Sequence, residues 1–385
     1  MKKLFFLPVA LVLFLLSCQK ENQQMPASNS PAAVSNKSGA IDLRNPDEKM
    51  LSTEITSPGG YLYSESNDGI LNKIIIYKQG TDGTLTWWKE VASGGKGTGA
   101  GLGSQGAVCM SENHKWLFAV NAGSNSFSVF SIQENGDLTL RATVSSMGEK
   151  PNSITTYGKL VYVLNNTSST ICGFTFNNGV LMKTAGSPHN LSGLNVDAPQ
   201  IMFEPDGSGV VVTEKATNLV DVFKLDAAGG IVSVVYNQST GATPFGFSYA
   251  RKFLVVSDAG DGACTSYKER GSGILHAVNG AVPDFEAAPC WVATTKYGFY
   301  AYTANAGSNT LSAYYVDSTG ALSFIKSVTS GLKPLDLIVS RDNKYLYNIN
   351  ANSQTIGAFK RITGGDLKAI GDVKLATYAA GLIAY

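Results

Sequence analysis

From Tyr61 onward the chain alternates short apolar runs with small and polar residues. One run recurs in nearly constant form: LFAVN at 117–121, VYVLN at 161–165, VVVTE at 210–214, LVVSD at 254–258, AYTAN at 301–305 and LYNIN at 346–350. An apolar segment and a short polar turn precede each run. A loop of small residues follows, then an alternating segment that commonly ends in Phe or Tyr. A further segment completes the unit, as in DLTLRATV and ALSFIKSV. Runs rich in β-branched and aromatic residues, broken by Gly, Asn, Asp and Ser, predict strands. No convincing 3.6-residue period runs through this part of the chain.

The unit length is marked by prolines. Pro151, Pro199, Pro244, Pro289 and Pro334 are spaced by 48, 45, 45 and 45 residues. Each stands where a new first strand is expected, a place where a missing N–H costs little. Gln105 holds the same place 46 residues before Pro151, and Ala380 holds it 46 after Pro334. Four strands per unit at this period predict the blades of an all-β propeller, seven in number. The first unit (Tyr61–Glu65, Lys73–Lys78, Leu85–Val91) lacks an innermost strand, and Gly381–Tyr385 at the chain end is a spare one. The spare strand is expected to fill the gap and close the ring, which removes exposed sheet edges. The propeller is assigned to residues 51–385.

The start of the chain belongs to another class. MKKLFFLPVALVLFLLSC has two lysines before an apolar run from Leu4 to Leu16. That run is shorter than the roughly 20 residues needed to span a bilayer, and the pattern is that of a secretory signal over 1–17. Leu15-Leu16-Ser17-Cys18 fits a bacterial lipobox, with Cys18 carrying the lipid; an ordinary signal peptide with an incidental cysteine is the alternative. The segment 18–50 is rich in Asn, Gln, Ser, Ala and Pro and is expected to be a flexible tether. The expected location is the bacterial cell envelope, on the outer membrane and held by the lipid anchor only. A monomer is expected.

Composition narrows the function classes. The net charge of +1 gives no basis for nucleic-acid binding. Cys109, Cys172, Cys264 and Cys290 show no CxxC and no His at metal spacing, so no metal site is expected. The glycine-rich stretch KGTGAGLGSQG (96–106) contains GxGxxG at Gly101–Gly106. It runs into a strand rather than a helix, and no GK[ST] follows, so neither nucleotide-loop reading holds and no cofactor is expected. The stretch reads instead as the link from the outer strand of blade 1 to the inner strand of blade 2. Such links share a face with the turns after Glu65, Asn121, Asn165, Glu214, Asp258, Asn305 and Asn350, and all should ring one mouth of the central channel. Asn and Asp also suit turns for local reasons; Glu does not, which singles out Glu214. Cys290 at the same mouth lacks a visible activating group, and Asp258-Ala-Gly-Asp261-Gly reads better as a turn than as a calcium loop.

LGSQGA (102–107), FAVNAGSN (118–125), VVTEKATN (211–218), GATPFGFSY (241–249), AYTANAGSNTLSAY (301–314) and YLYNINANSQTIGAF (345–359) resemble the lactonase-like seven-bladed propellers, the 6-phosphogluconolactonase and carboxymuconate-cyclising group, and more closely its exported branch. The resemblance covers roughly residues 55 to 385. It implies hydrolysis of a lactone of sugar-acid type at the channel mouth, without a covalent intermediate. In the phosphogluconolactonase-like branch a His-x-His precedes an acid. Those histidines fall on Asp197 and Pro199 here and are missing, while the acid falls on Glu214. The expected machinery is Glu214 activating water, Lys215 or the backbone N–H groups of Gly99–Gly106, with Gly101, Gly103 and Gln105 among the ligand contacts, stabilising the oxyanion, and His189 either standing in for the lost imidazoles or simply a surface loop histidine. Asn121, Asn165, Gln200, Asp258 and Asn305 are the candidate ligand-holding side chains, over an apolar floor of Phe245, Phe247 and Trp291. The alternative is a non-catalytic propeller that binds a glycan, peptide or protein partner at the cell surface.

Overall fold

The computed structural model describes residues 45–52 and 59–385. The signal segment 1–17, Cys18 and the tether up to residue 44 lie outside the described residues. Among the described residues no helix is long and apolar enough to cross a membrane.

Seven antiparallel sheets form the ring, each with its strands in radial order from the axis outward. Blade 1 uses Gly60–Glu65, Lys73–Gln79 and Leu85–Ala92 as its second, third and outer strands. Its inner strand is Ala380–Ala384, from the other end of the chain. The closure pairs Leu62 with Ala384 and Tyr63 with Ile383, and the Tyr61 and Tyr385 backbones exchange hydrogen bonds of 3.0 and 2.8 Å. Blades 2 to 7 follow in sequence, with inner strands at Val108–Met110, Pro151–Tyr157, Gln200–Phe203, Pro244–Ala250, Pro289–Thr294 and Pro334–Val339. The periodic prolines thus open inner strands in four blades and stand one residue before in blade 4. Blade 3 departs from four strands, its outer edge being split into Val180–Lys183 and His189–Asn190.

Burial follows the radial order. The second strands are buried on both faces, as in Gly209–Glu214 and Tyr300–Asn305, because neighbouring blades stack on each side of them. The outer strands alternate toward solvent, as in Ile231–Gln238. Continuous apolar second strands beside alternating outer strands are what blade-on-blade packing requires. The two faces of the ring differ in what forms them. The upper face carries the second-to-third turns and the links from outer to inner strands. The lower face carries the inner-to-second and third-to-outer turns.

One element was not foreseen. Helix α1 (Pro46–Ser52) docks under blades 6 and 7, within the stretch expected to be a loose tether to residue 50. Asp47 Oδ1 and Oδ2 accept from Thr295 Oγ1 at 2.6 Å, Asn343 Nδ2 at 2.8 Å and the Phe299 and Tyr297 N–H groups at 2.9 and 3.1 Å. Glu48 accepts from Tyr300 Oη at 2.5 Å and Gly364 N at 3.0 Å. A seven-residue helix is too short to persist by propensity; these two buried carboxylates hold it to the ring.

Candidate functional site

The glycine-rich link runs across the upper face and ends in the axis. Gly97 and Gly99 donate to the Asp68 and Asn67 carbonyls of the blade 1 turn, and Gly123 in the blade 2 turn donates to Lys96. The approach is close enough to exclude a side chain: a Cβ on Gly97 would lie 2.1 Å from the Asn67 backbone, and one on Gly123 would lie 1.9 Å from the Gly97 carbonyl. Gly101 is exposed and meets nothing within 4 Å, while Gly103 takes a φ of +65°. Beyond them the chain plugs the channel. The Gln105 backbone donates to Pro199 at 3.0 Å. Its side chain clamps Val292 across the ring, donating to the carbonyl at 2.6 Å and accepting from the N–H at 3.0 Å. Ser104 Oγ donates to Asn152 O at 2.7 Å, and Trp291 Nε1 donates to Ser104 O at 2.8 Å. Gln105 therefore pins blades 4 and 6 through the centre, where a ligand-holding side chain was expected. Gln200 does the same between neighbours, exchanging two hydrogen bonds with the Phe247 backbone at 2.9 and 2.7 Å.

The residues closing the second strands are also structural in their contacts. Asn121, Asn165, Asp258 and Asn305 are wholly buried. In blades 1, 2, 5 and 6 the residue at this position bonds to the side chain seven positions later, diagonally across the hairpin. Asn121 Nδ2 donates to Ser128 Oγ at 2.7 Å, Asn305 Nδ2 to Ser312 Oγ at 2.7 Å, and Thr265 Oγ1 to Asp258 Oδ2 at 2.6 Å. Asn72 Nδ2 donates to Glu65 Oε2 at 3.1 Å in blade 1. Asn165 donates to Ser146 O at 3.1 Å. These four side chains were expected to hold a ligand; in this structure they are buried and their polar groups bond within the blade corners. Burial also pushes the Asp258 carboxyl up to about 7, and the Asp261 N–H closes a turn on Asp258 O at 3.0 Å.

Blade 4 carries the odd pair. Here Glu214 faces Asp221, two carboxyls where blades 1, 2, 5 and 6 pair an amide or a single acid with a hydroxyl or an amide. Glu214 Oε1 accepts from Ser192 N at 3.0 Å, and Oε2 accepts from the Ser192 and Thr217 hydroxyls. No other group donates to Asp221. Burial first, then the Glu214 carboxylate, pushes its carboxyl up to about 10, so at neutral pH Asp221 keeps a proton and shares it with Glu214. Glu214 is wholly buried. Expected to activate water, it has both carboxylate oxygens taken by Ser192 and Thr217 in this arrangement.

The solvent-facing chemistry lies directly above. Lys215 Nζ is 2.9 Å from Asp197 Oδ2, with the lysine side chain 9% exposed and the aspartate 51%. The ammonium lies 4.9 Å over the Phe245 ring, which packs at a tilt against Trp291, ring centroids 4.9 Å apart. Asn166 Nδ2 reaches Asp197 Oδ1 at 3.3 Å. Phe245 and Trp291 pack in one buried cluster beneath Lys215, whereas Phe247, expected beside them, packs into a separate cluster between blades 4 and 5. His189 sits on the outer edge of blade 3, its ring edge-on to Phe223 at 5.5 Å and Nδ1 2.8 Å from the Asn190 carbonyl. It belongs to the blade wall and does not join Glu214. Asp197, at the place of a family histidine, was the residue passed over. Cys109, Cys172 and Cys264 are free thiols, and burial raises all three, which leaves them poor nucleophiles.

A closed ring of seven antiparallel sheets around one axis defines a seven-bladed β-propeller. The sequence profile described as "Lactonase, 7-bladed beta-propeller" matches residues 58–190 and 280–377, more than half of the chain, and the chain belongs to that family. Glu214, Asp221, Lys215 and Asp197 lie between the two matched stretches. Among solved structures, a Bacteroides uniformis protein described as a candidate 6-phosphogluconolactonase is similar over 85% of this chain and 99% of its own, at 18% identity and a TM-score of 0.73. The periplasmic gluconolactonase of Pseudomonas aeruginosa is similar over 85% and 99%, at 16% identity and a TM-score of 0.67. A virginiamycin B lyase of Staphylococcus aureus aligns over 71% and 86%, at 13% identity and a TM-score of 0.53. At these identities the likeness is one of fold. No curated protein matches the sequence significantly.

Proposed function

We propose that this protein hydrolyses a sugar-acid type lactone at the upper mouth, with Lys215 and Asp197 at the reacting centre. The observation that carries this reading is the Lys215–Asp197 pair, an ammonium held nearly out of water beside a half-exposed carboxylate. A charge so placed acts more strongly on a developing oxyanion than one in bulk solvent. Asp197 takes a proton from water as the oxygen bonds to the lactone carbonyl carbon. Lys215 stabilises the negative oxygen that results. Collapse breaks the ring C–O bond, and the leaving alkoxide takes the proton back from Asp197. No bond to the protein forms. Glu214 is a positioning residue: it ties Ser192 and Thr217 around the turn that carries Lys215.

The test is turnover of gluconolactone and 6-phosphogluconolactone by residues 45–385. Lys215→Met and Asp197→Asn should each lose roughly a hundredfold or more in kcat, while Glu214→Gln should lower the melting temperature along with activity. Turnover no faster than spontaneous hydrolysis across the panel, or full activity in Lys215→Met, rejects the assignment. We also propose that Cys18 carries a lipid that anchors the protein to the outer membrane. Cys18→Ala should abolish labelling by a fatty-acid probe and release the protein from the membrane fraction.

A second reading has its own observation. Ile70, Met147, Leu194, Phe285, Leu332 and Tyr378 are exposed, Ile70 and Leu194 by 84% and 85%, and all stand on turns and links of the upper face. A ring of exposed apolar side chains favours a macromolecular partner over that mouth. Loss of partner capture in Leu194→Ser with Phe285→Ser, at unchanged lactone turnover, would support binding as the main role.

A further inference from the structure

We infer that the lower face carries a second binding site, for a small molecule bearing a carboxylate or phosphate. The inference is independent of the lactonase reading and concerns the opposite end of the axis. A cavity of about 420 Å³ opens there, lined by His114, Thr294, Lys296, Val339, Ser340 and Arg341. That volume lies within the range of small-molecule sites, which runs from roughly 300 to 1,000 Å³.

Its walls come from separate blades. His114 is in the inner turn of blade 2, Lys296 in that of blade 6 and Arg341 in that of blade 7, while Thr294 and Val339 end the inner strands of blades 6 and 7. Tyr385, at the end of the closing strand, fixes two of them. The His114 ring lies 5.3 Å from the Tyr385 ring, and the Arg341 guanidinium lies 5.5 Å from it. The closing strand thus packs against two of the residues that line the cavity.

Charge argues for an anion. The lining holds a lysine and an arginine and no acid. Glu134 and Asp342 line a neighbouring depression that shares Lys296 and Arg341, and neither lines the inner cavity. The arginines that build the ring are engaged: Arg251 donates to the Gly298, Val316 and Asp317 carbonyls, and Arg361 to Asn343 O and Tyr302 Oη. Lys224 is held between Glu204 and Glu269 at 2.6 and 2.7 Å. Among the described residues Arg341 donates no hydrogen bond, and neither it nor Lys296 has an acidic partner within 4 Å. Two cations facing one cavity, each near an aromatic ring but without an acidic partner among the described residues, suit a group that a guanidinium can grip with two parallel bonds. His114 adds a neutral ring, since burial and then the charge of Arg341 hold it below its ordinary value. It can donate to, or accept from, a hydroxyl of the same ligand.

The test is calorimetric titration of residues 45–385 with gluconate, inorganic phosphate, 6-phosphogluconate and neutral glucose. Gluconate or phosphate, or both, should bind and glucose should not; whichever binds more tightly names the group the site reads. Lys296→Met and Arg341→Gln change exposed turn residues, so melting should stay as in the wild type while Kd rises roughly tenfold or more in each. Lys215→Met should leave this binding untouched, which separates it from the upper mouth. Crystals soaked in the tightest anion should show it between Lys296 and Arg341. Absence of binding by every anion, an unchanged Kd in the double variant, or density elsewhere would overturn the inference.

Discussion

Replacing Gln105 with leucine tests whether the axis is braced by one side chain. The substitution keeps size and removes both amide bonds to Val292, which measure 2.6 and 3.0 Å. It leaves the Val292 N–H and C=O unpaired in the buried centre of the ring. Stranding a buried polar group costs about 1–3 kcal/mol, so the pair amounts to about 2–6 kcal/mol. Conversion to temperature uses the entropy of unfolding, about 2.1 cal/mol/K per residue, or about 0.7 kcal/mol/K over some 330 residues. The expected fall in melting temperature is then about 3–9 °C by scanning calorimetry. Gln105→Glu should fall further, because a carboxylate cannot donate to Val292 O and would lie buried against it. Gln200→Leu removes the equivalent pair to Phe247 and should match Gln105→Leu within a few degrees. A Gln105→Leu protein that melts within about 1 °C of the wild type would show that the plug fills space without bracing the ring.

Truncation after Ala379 removes the strand paired with Tyr61–Glu65, and should give insoluble or rapidly proteolysed protein; a soluble product with unchanged melting would refute the closure. Asp221 binds a proton in the folded chain up to about pH 10 but only to about pH 4 when unfolded. Folding therefore takes up a proton between these limits, and stability falls as pH rises. Asp221→Asn keeps a donor to Glu214 and lacks this slope, so its melting temperature should gain on the wild type between pH 5 and 9; parallel curves would refute the shared proton. Asp47→Ala strands four donors from Thr295, Tyr297, Phe299 and Asn343, and should lower melting by several degrees and speed proteolysis before residue 59. An unchanged digestion pattern would show that α1 does not depend on Asp47.

The ring was legible because it repeats. Prolines at a nearly constant interval and a spare terminal strand needed no knowledge of tertiary contacts. The polar corners were half legible. Asn121 with Ser128 and Asn305 with Ser312 recur at a spacing of seven, a signal that these side chains answer each other across a hairpin rather than face a ligand. What lay beyond reading came from distant partners. Glu214 is sealed by Ser192, which belongs to the preceding link and not to its own hairpin. Gln105 holds the place of the prolines in its repeat, yet its reach across the axis to Val292 joins residues 187 apart. Helix α1 has no apolar period, and two acids in a short polar segment resemble a solvated linker until the donors of blades 6 and 7 surround them.

The docking of α1 also gives the disc a bearing. The described chain enters at Asn45, beneath blades 6 and 7, so an attachment made through the N-terminus pulls on the side that holds Lys296 and Arg341. Lys215 and the exposed apolar loops lie at the other end of the axis, so the N-terminal approach of the chain leaves that mouth uncovered by the described residues.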